Sequence, residues 1–128
     1  MTPEGRIRNN AMSFAAAHSV KHQRMSFRPG VRRAFPDDQF LIPGGRSLFI
    51  EFKRPGKWPT PLQAHRLEEL RELGYWATWA DSIDAARSAI LEALAAASLY
   101  GPRGGLSDSP ALRRPTAPPG RAKDLHHA

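Results

Sequence analysis

Residues 47 to 53, SLFIEFK, constrain this chain more than any other stretch: a clean apolar strand that ends in Glu51-x-Lys53 and gives way to the cationic loop RPGKW. Side chains two apart in a strand share a face. Leu48, Ile50 and Phe52 therefore point one way and suit packing under a helix, while Phe49, Glu51 and Lys53 point the other. A carboxylate and an ammonium group then stand side by side where the sheet gives way to loop. Taken alone, such a pair is a same-face ion pair of modest worth.

The neighbouring segments extend that strand into a sheet. DDQFLI at 37–42 alternates or runs apolar, and PGGR turns it into SLFIEFK, so the two read as a hairpin with a loop around Gly44 and Gly45. Ahead of them, Thr2 as N-cap and Pro3 at the first helical position open a helix over residues 3–18. Its stripe is Ile7, Ala11, Phe14 and, at its polar end, His18, and Glu4 lies on the same stripe. Gln23 to Phe27 reads as a short strand. Thr60 and Pro61 open a second helix that runs to Leu73, where Gly74 stops it. YWATWA is a strand by its aromatic and β-branched content. Asp81 or Ser82 caps a last helix whose buried face is Ile83, Ala86, Ile90, Leu94 and Ala97. The order α-β-β-β-α-β-α predicts an α/β fold, one mixed sheet flanked by helices, with a right-handed parallel crossover between the third and fourth strands.

That domain occupies residues 1–99. Residues 100–128 hold five of the 12 prolines and four of the 10 glycines, with few large apolar side chains. Such a tail buries too little surface to offset its ordering entropy and is expected to be disordered.

Composition narrows the function classes. There is no cysteine, which excludes disulfide frameworks, thiolate metal sites and a cysteine nucleophile. No run approaches the roughly 18 apolar residues of a membrane span, and the N-terminus has no secretory pattern, so a cytoplasmic protein is expected. The formal charge is +7 and the pI about 10.8, which points to a polyanionic partner, nucleic acid being the commonest. Nine cations stand between Lys21 and Trp58 against three acids, Asp37, Asp38 and Glu51. A basic zone with a few isolated acids is the pattern of a phosphate-binding surface around a metal site.

The hairpin supplies the second acid. Asp37 opens the strand before SLFIEFK and should lie near Glu51 or Lys53 across the ladder. Two carboxylates brought together repel unless a cation joins them. Mg²⁺ suits them, because it takes hard oxygen ligands and keeps water positions open for phosphate. A metal so held can activate water and neutralise charge on a phosphodiester. Lys53 would then orient the water or stabilise the added negative charge.

Pro36-Asp37 followed by Glu51-x-Lys53 resembles the PD-(D/E)XK nuclease superfamily, and the surroundings resemble its VRR-NUC branch, especially small stand-alone phage members. The resemblance rests on TPEG at 2–5, FPD at 35–37, IEFKRPG at 50–56 and PTPLQ at 59–63, and covers roughly residues 2–82. It implies a restriction-endonuclease-like fold and metal-dependent cleavage of DNA, often on branched or flap substrates. It implies Glu4, Asp37, Glu51 and the main-chain carbonyl of Phe52 as ligands of Mg²⁺, with Mn²⁺ as substitute. Lys53 is then the catalytic lysine and Gln63 the accessory polar residue. It also implies a homodimer, a junction-resolvase-like role, and the host cytoplasm for a phage-encoded protein. Thr60-x-x-Gln63 reads equally as a capping box. The sequence departs from the family where a glycine usually precedes the first acid, at Ala34 or Phe35. It departs again at Asp38, where the family has an apolar residue; Asp38 is read as exposed or as a spare ligand.

Arg28, Arg32, Arg33, Arg54 and Lys57 are expected to hold the DNA backbone, and Trp58 to pack or to stack on an unpaired base. The alternatives are a catalytically silent basic DNA-binding module, an accessory protein whose basic patch meets an acidic partner, or a flap, nicking or exonuclease of the same fold.

Overall fold

The computed structural model describes residues 1–25, 34–100 and 109–120. The chain runs α1 (Pro3–Ala17), β1 (Lys21–Arg24), β2 (Asp38–Ile42), β3 (Arg46–Phe52), α2 (Pro61–Glu72), β4 (Trp76–Ala80) and α3 (Ile83–Tyr100). This is the order the sequence predicts. The strands lie as β1-β2-β3-β4 in one sheet. β1, β2 and β3 are antiparallel neighbours, and α2 carries the chain over to β4, parallel to β3.

Local chemistry sets the element ends. Thr2 caps α1 by accepting the Gly5 amide at 3.0 Å. The helix unwinds through Ser19, whose φ of +61° is left-handed, and Val20 buries its side chain while its N–H donates to Ala15 O at 2.9 Å. That tight exit starts β1 at Lys21 rather than at Gln23, two residues earlier than the sequence predicts. Gly74 (φ +95°) stops α2 in the conformation glycine adopts most readily. Ser82, rather than Asp81, caps α3 by accepting the Ala85 amide at 3.0 Å.

The two faces of the sheet have separate cores. Phe40, Ile42, Leu48, Ile50, Phe52, Trp76 and Ala80 meet Ile7, Ala11 and Ala15 of α1 and Ala86, Ala89, Ile90, Ala93 and Ala96 of α3. The alanine-rich stripe brings α3 close to the strands. On the other face, Phe49, Ala77 and Trp79 meet Leu67 and Leu70 of α2. Glu51 and Lys53 follow Phe49 on the α2 face, so α2 decides what surrounds them.

The expectation of a disordered tail is corrected for residues 109–120. Leu112 is buried in the core shared with α1 and α3. The chain then passes to the α2 side, where Trp79 Nε1 donates to Pro115 O at 2.8 Å and Arg71 donates to Arg114 O at 2.9 Å. This segment is a strap around β4, one of the two edge strands of the sheet. Arg71 Nε donates to Ala77 O at 2.7 Å and Arg114 to Trp79 O at 3.4 Å, so guanidinium groups occupy carbonyls that a bare edge would leave open. Residues 101–108 and 121–128 lie outside the described residues.

If the strap is part of the folded domain, Leu112→Ala should cost about 2–5 kcal/mol, the range for truncating a buried leucine. Urea denaturation measures this; a midpoint unchanged from the native protein would mean that the tail contributes nothing to the fold.

Candidate active site

β3 and α2 build the centre of the site together. The antiparallel register places Asp38 opposite Ile50, and one further step sets Asp37 opposite Glu51. Glu51 is half-buried, and Asp37 is exposed at the sheet's end. Helix α2 brings Gln63 against Glu51 and Lys53. Gln63 Nε2 donates to Glu51 Oε1 at 2.5 Å, and Lys53 Nζ donates to Gln63 Oε1 at 3.1 Å. The same Oε1 accepts the Thr60 amide at 2.9 Å, while Thr60 Oγ1 accepts the Gln63 amide at 3.2 Å. The two readings of Gln63 are therefore both realised, because one side chain caps α2 and joins the two groups on β3.

Glu51 is electrostatically unusual. Burial pushes its carboxyl up from 4.5 to about 8; Lys53 opposes that rise, and the carboxylates of Asp37, Glu4 and Asp38 add to it. Glu4 reaches the site from the first turn of α1. With Lys53, Arg54, Lys57, Trp58 and Thr60 it lines a cleft of about 490 Å³. Three cations on the wall of a cleft that also exposes an acid suit a phosphate held beside a metal.

Among the described residues, no group of three or more histidines, aspartates and glutamates is arranged as a ready-made metal cage. The donor chemistry nonetheless fits a hard dication. A carboxyl that burial and three neighbouring carboxylates keep protonated is one that a divalent ion would ionise, and all its neighbours offer oxygen. Glu51, Asp37 and Glu4 are the side chains that could hold such an ion. Phe52, between Glu51 and Lys53, has its ring in the core, which leaves only its backbone to serve the site.

Asp38 is neither exposed nor spare, contrary to the sequence reading. It shares the inner face with Phe40 and Ile42 and is 1% exposed. Arg8 Nε donates to its Oδ2 at 3.0 Å, and His22 Nε2 lies 2.7 Å from its Oδ1. An acid in an apolar position is thus held by two partners from α1 and β1, as a buried carboxylate must be. Arg8 also stands 3.7 Å from Glu4 and over the Phe52 ring at 5.4 Å. Sequence reasoning missed Arg8 and His22; the available signal was Arg8 at i+4 from Glu4. Ala34, where the resemblance leads one to expect glycine, has a left-handed φ of +62°, so the turn has the geometry that favours glycine.

Of the expected DNA-binding residues, Arg54 and Lys57 line the cleft, and Arg28, Arg32 and Arg33 lie outside the described residues. Trp58 lines the cleft and packs against Trp79, ring centroids 4.8 Å apart. Arg66, early on α2, pairs with Glu69 at 2.7 Å.

The raised pKa has a stability consequence. Between about 4.5 and about 8 the folded chain holds a proton at Glu51 that the unfolded chain has released. This contribution is complete below the unfolded value and is lost as pH rises through about 8. Glu51→Gln, neutral throughout, should melt near the native temperature at pH 5 and above it at pH 9 in EDTA. Parallel melting curves for the two proteins across that range would mean that Glu51 titrates normally.

Comparison with known proteins bears on the fold that carries this site. No family model matches the chain. A relative named "Putative nuclease p44", from Acyrthosiphon pisum secondary endosymbiont phage 1, is 41% identical over 56 residues, which are 44% of this chain and 59% of the relative. The chain thus spans less than two thirds of that relative's length. A solved VRR_NUC domain superposes with a TM-score of 0.63 and 25% identity, covering 71% of this chain and 97% of that domain. A second solved VRR_NUC domain protein gives 0.54 and 26% over 72% of this chain and 88% of its own. Its four-stranded mixed sheet and its order of elements give the chain the fold of these VRR_NUC domains, to which its sequence is also similar.

Proposed function

We propose that this chain is a metal-dependent deoxyribonuclease that hydrolyses phosphodiester bonds as an endonuclease. The observation that supports this most is the Gln63 bridge, which holds Glu51 and Lys53 beside Asp37 at the mouth of a cationic cleft. Glu51, Asp37, Glu4 and the Phe52 carbonyl would hold Mg²⁺, or Mn²⁺ in its place. Bound there, the ion would supply Lewis-acid neutralisation of the phosphate and a lowered pKa for water. An open ligand set of this kind suits Mg²⁺, which keeps several of its waters.

The chain's own residues do the rest. Gln63 Oε1 holds the Lys53 ammonium in the cleft, where it can orient the attacking water and stabilise the negative charge that builds on the phosphate oxygens. Gln63 Nε2 fixes the rotamer of Glu51. Arg54 and Lys57 bind flanking phosphates, without reading base sequence. In its finer form, the proposal is a homodimer that acts on branched DNA in a phage host's cytoplasm. The family resemblance and the phage relative support that form, as does the ease with which a small domain doubles its site around a two-fold axis. No helix among the described residues is long and apolar enough to cross a membrane.

A labelled four-way junction and its linear duplex, each incubated with Mg²⁺, Mn²⁺ or EDTA, test the reading. The native protein should cut only with metal, and the junction faster. Asp37→Asn should abolish cutting while binding persists, and Lys53→Ala should lower the cleavage rate about 10²–10³-fold, the scale of losing one transition-state donor. DNA binding without cuts in any metal would instead mark a silent basic module.

A further inference from the structure

We infer that the C-terminal strap is a positioning device for the cationic loop, acting through Arg114 and Asp81; this rests on the nuclease reading of the cleft. The loop Lys53–Trp58 carries Lys53, Arg54 and Lys57 into the cleft with Trp58 beside them. It is anchored at its start by Lys53 N–H donating to Ala80 O at 2.9 Å. Its outer part, Pro55 to Lys57, is exposed. There the Gly56 amide donates to Asp81 Oδ2 at 3.3 Å. The other oxygen of the same carboxylate is held by Arg114 at 3.1 Å.

Asp81 is therefore a two-sided clip, with the loop on Oδ2 and the strap on Oδ1. Arg114 is fixed in turn. Its guanidinium lies 3.5 Å from the centroid of Trp79, its carbonyl accepts from Arg71, and the next residue accepts from the Trp79 indole. Trp79 also packs against Trp58 at the far end of the loop. The strap thus reaches the loop at two points, Gly56 through Asp81 and Trp58 through Trp79. Arg114 also offsets the negative charge of Asp81 beside the cationic loop. A loop held in advance loses less entropy when it closes on DNA, so Asp81 and Arg114 are positioning residues for substrate binding.

Charge and order make opposite predictions for one substitution, and that decides the matter. Asp81→Ala raises the net charge by one, so electrostatics alone should tighten DNA binding. Loss of the clip should instead weaken it, by about 2- to 5-fold, the scale of losing a partly exposed ion pair. The probes are a labelled linear duplex in EDTA, read by fluorescence anisotropy, and amide hydrogen exchange at Gly56. Asp81→Ala and Arg114→Ala should both weaken binding and speed Gly56 exchange, and Arg114→Lys, which keeps the ion pair, should recover part of each. Binding by Asp81→Ala as tight as native, or Gly56 exchange unchanged in Arg114→Ala, would overturn the inference. If Arg114→Ala does not fold, Asp81→Ala and Arg114→Lys decide it, since both alter partly exposed groups. A native protein that binds no duplex would sink the nuclease reading, while Gly56 exchange would still decide whether the strap holds the loop.

Discussion

The arrangement at the centre of this protein depends on the single amide of Gln63. Its carbonyl oxygen accepts from Thr60 N–H and Lys53 Nζ, and its amino group donates to Glu51. The orientation of that amide is forced. Turned over, it would set NH₂ against a backbone N–H and an ammonium group, donor against donor. Because the same oxygen closes the N-terminus of α2, the helix start and the Glu51–Lys53 spacing are a single geometric fact. Sliding α2 along the sheet would uncap the helix and separate the two groups together.

The opposite face of the sheet bears on the same centre less directly. Asp38 occupies a position that the register gives to an apolar side chain, and its burial is tolerable only because Arg8 and His22 meet both oxygens. Removing either partner would leave a buried charge underpaired, so α1, β1 and β2 are tied at that point. The tie also sets where Glu4 can be. It stands one turn before Arg8 and within ion-pair distance of it, and its charge is felt by Glu51 through the end of the sheet. A departure from the family pattern has become the joint that carries α1 to the site.

How much of this was legible in the sequence follows from how local each signal is. The alternation in SLFIEFK is self-contained, so the split between Ile50 and Glu51 could be read directly; the hairpin brought Asp37 near Glu51 or Lys53, and the strand register selects Glu51. Thr60-x-x-Gln63 was legible as a cap, but its reach to β3 needed the crossover. Asp38 was misread because polarity argues for exposure, and only distant partners, 30 residues away in the case of Arg8, reverse that argument. The strap was misread for a related reason. Composition measures the apolar surface a segment can bury, and residues 109–120 bury little beyond Leu112. What holds them is backbone carbonyls meeting Trp79 and Arg71, together with a guanidinium on an indole ring. No periodicity announces such contacts.

Edge protection and site geometry meet in β4. One side of that strand is the sheet's edge, where Arg71 and Arg114 take the carbonyls of Ala77 and Trp79. Its other side pairs in parallel with β3, setting Glu51 beside Trp79 and Phe52 beside Ala80, and Ala80 O holds the backbone of Lys53. A four-stranded sheet has few ways to keep its outer strand from fraying, and here fraying would reach the lysine within one strand spacing. The guanidinium groups that close the edge are cations on an already basic protein, so they add no acid to the cleft's surroundings. A carboxylate could not take these carbonyls, because it has no proton to donate, and beside the cleft it would also repel a polyanion.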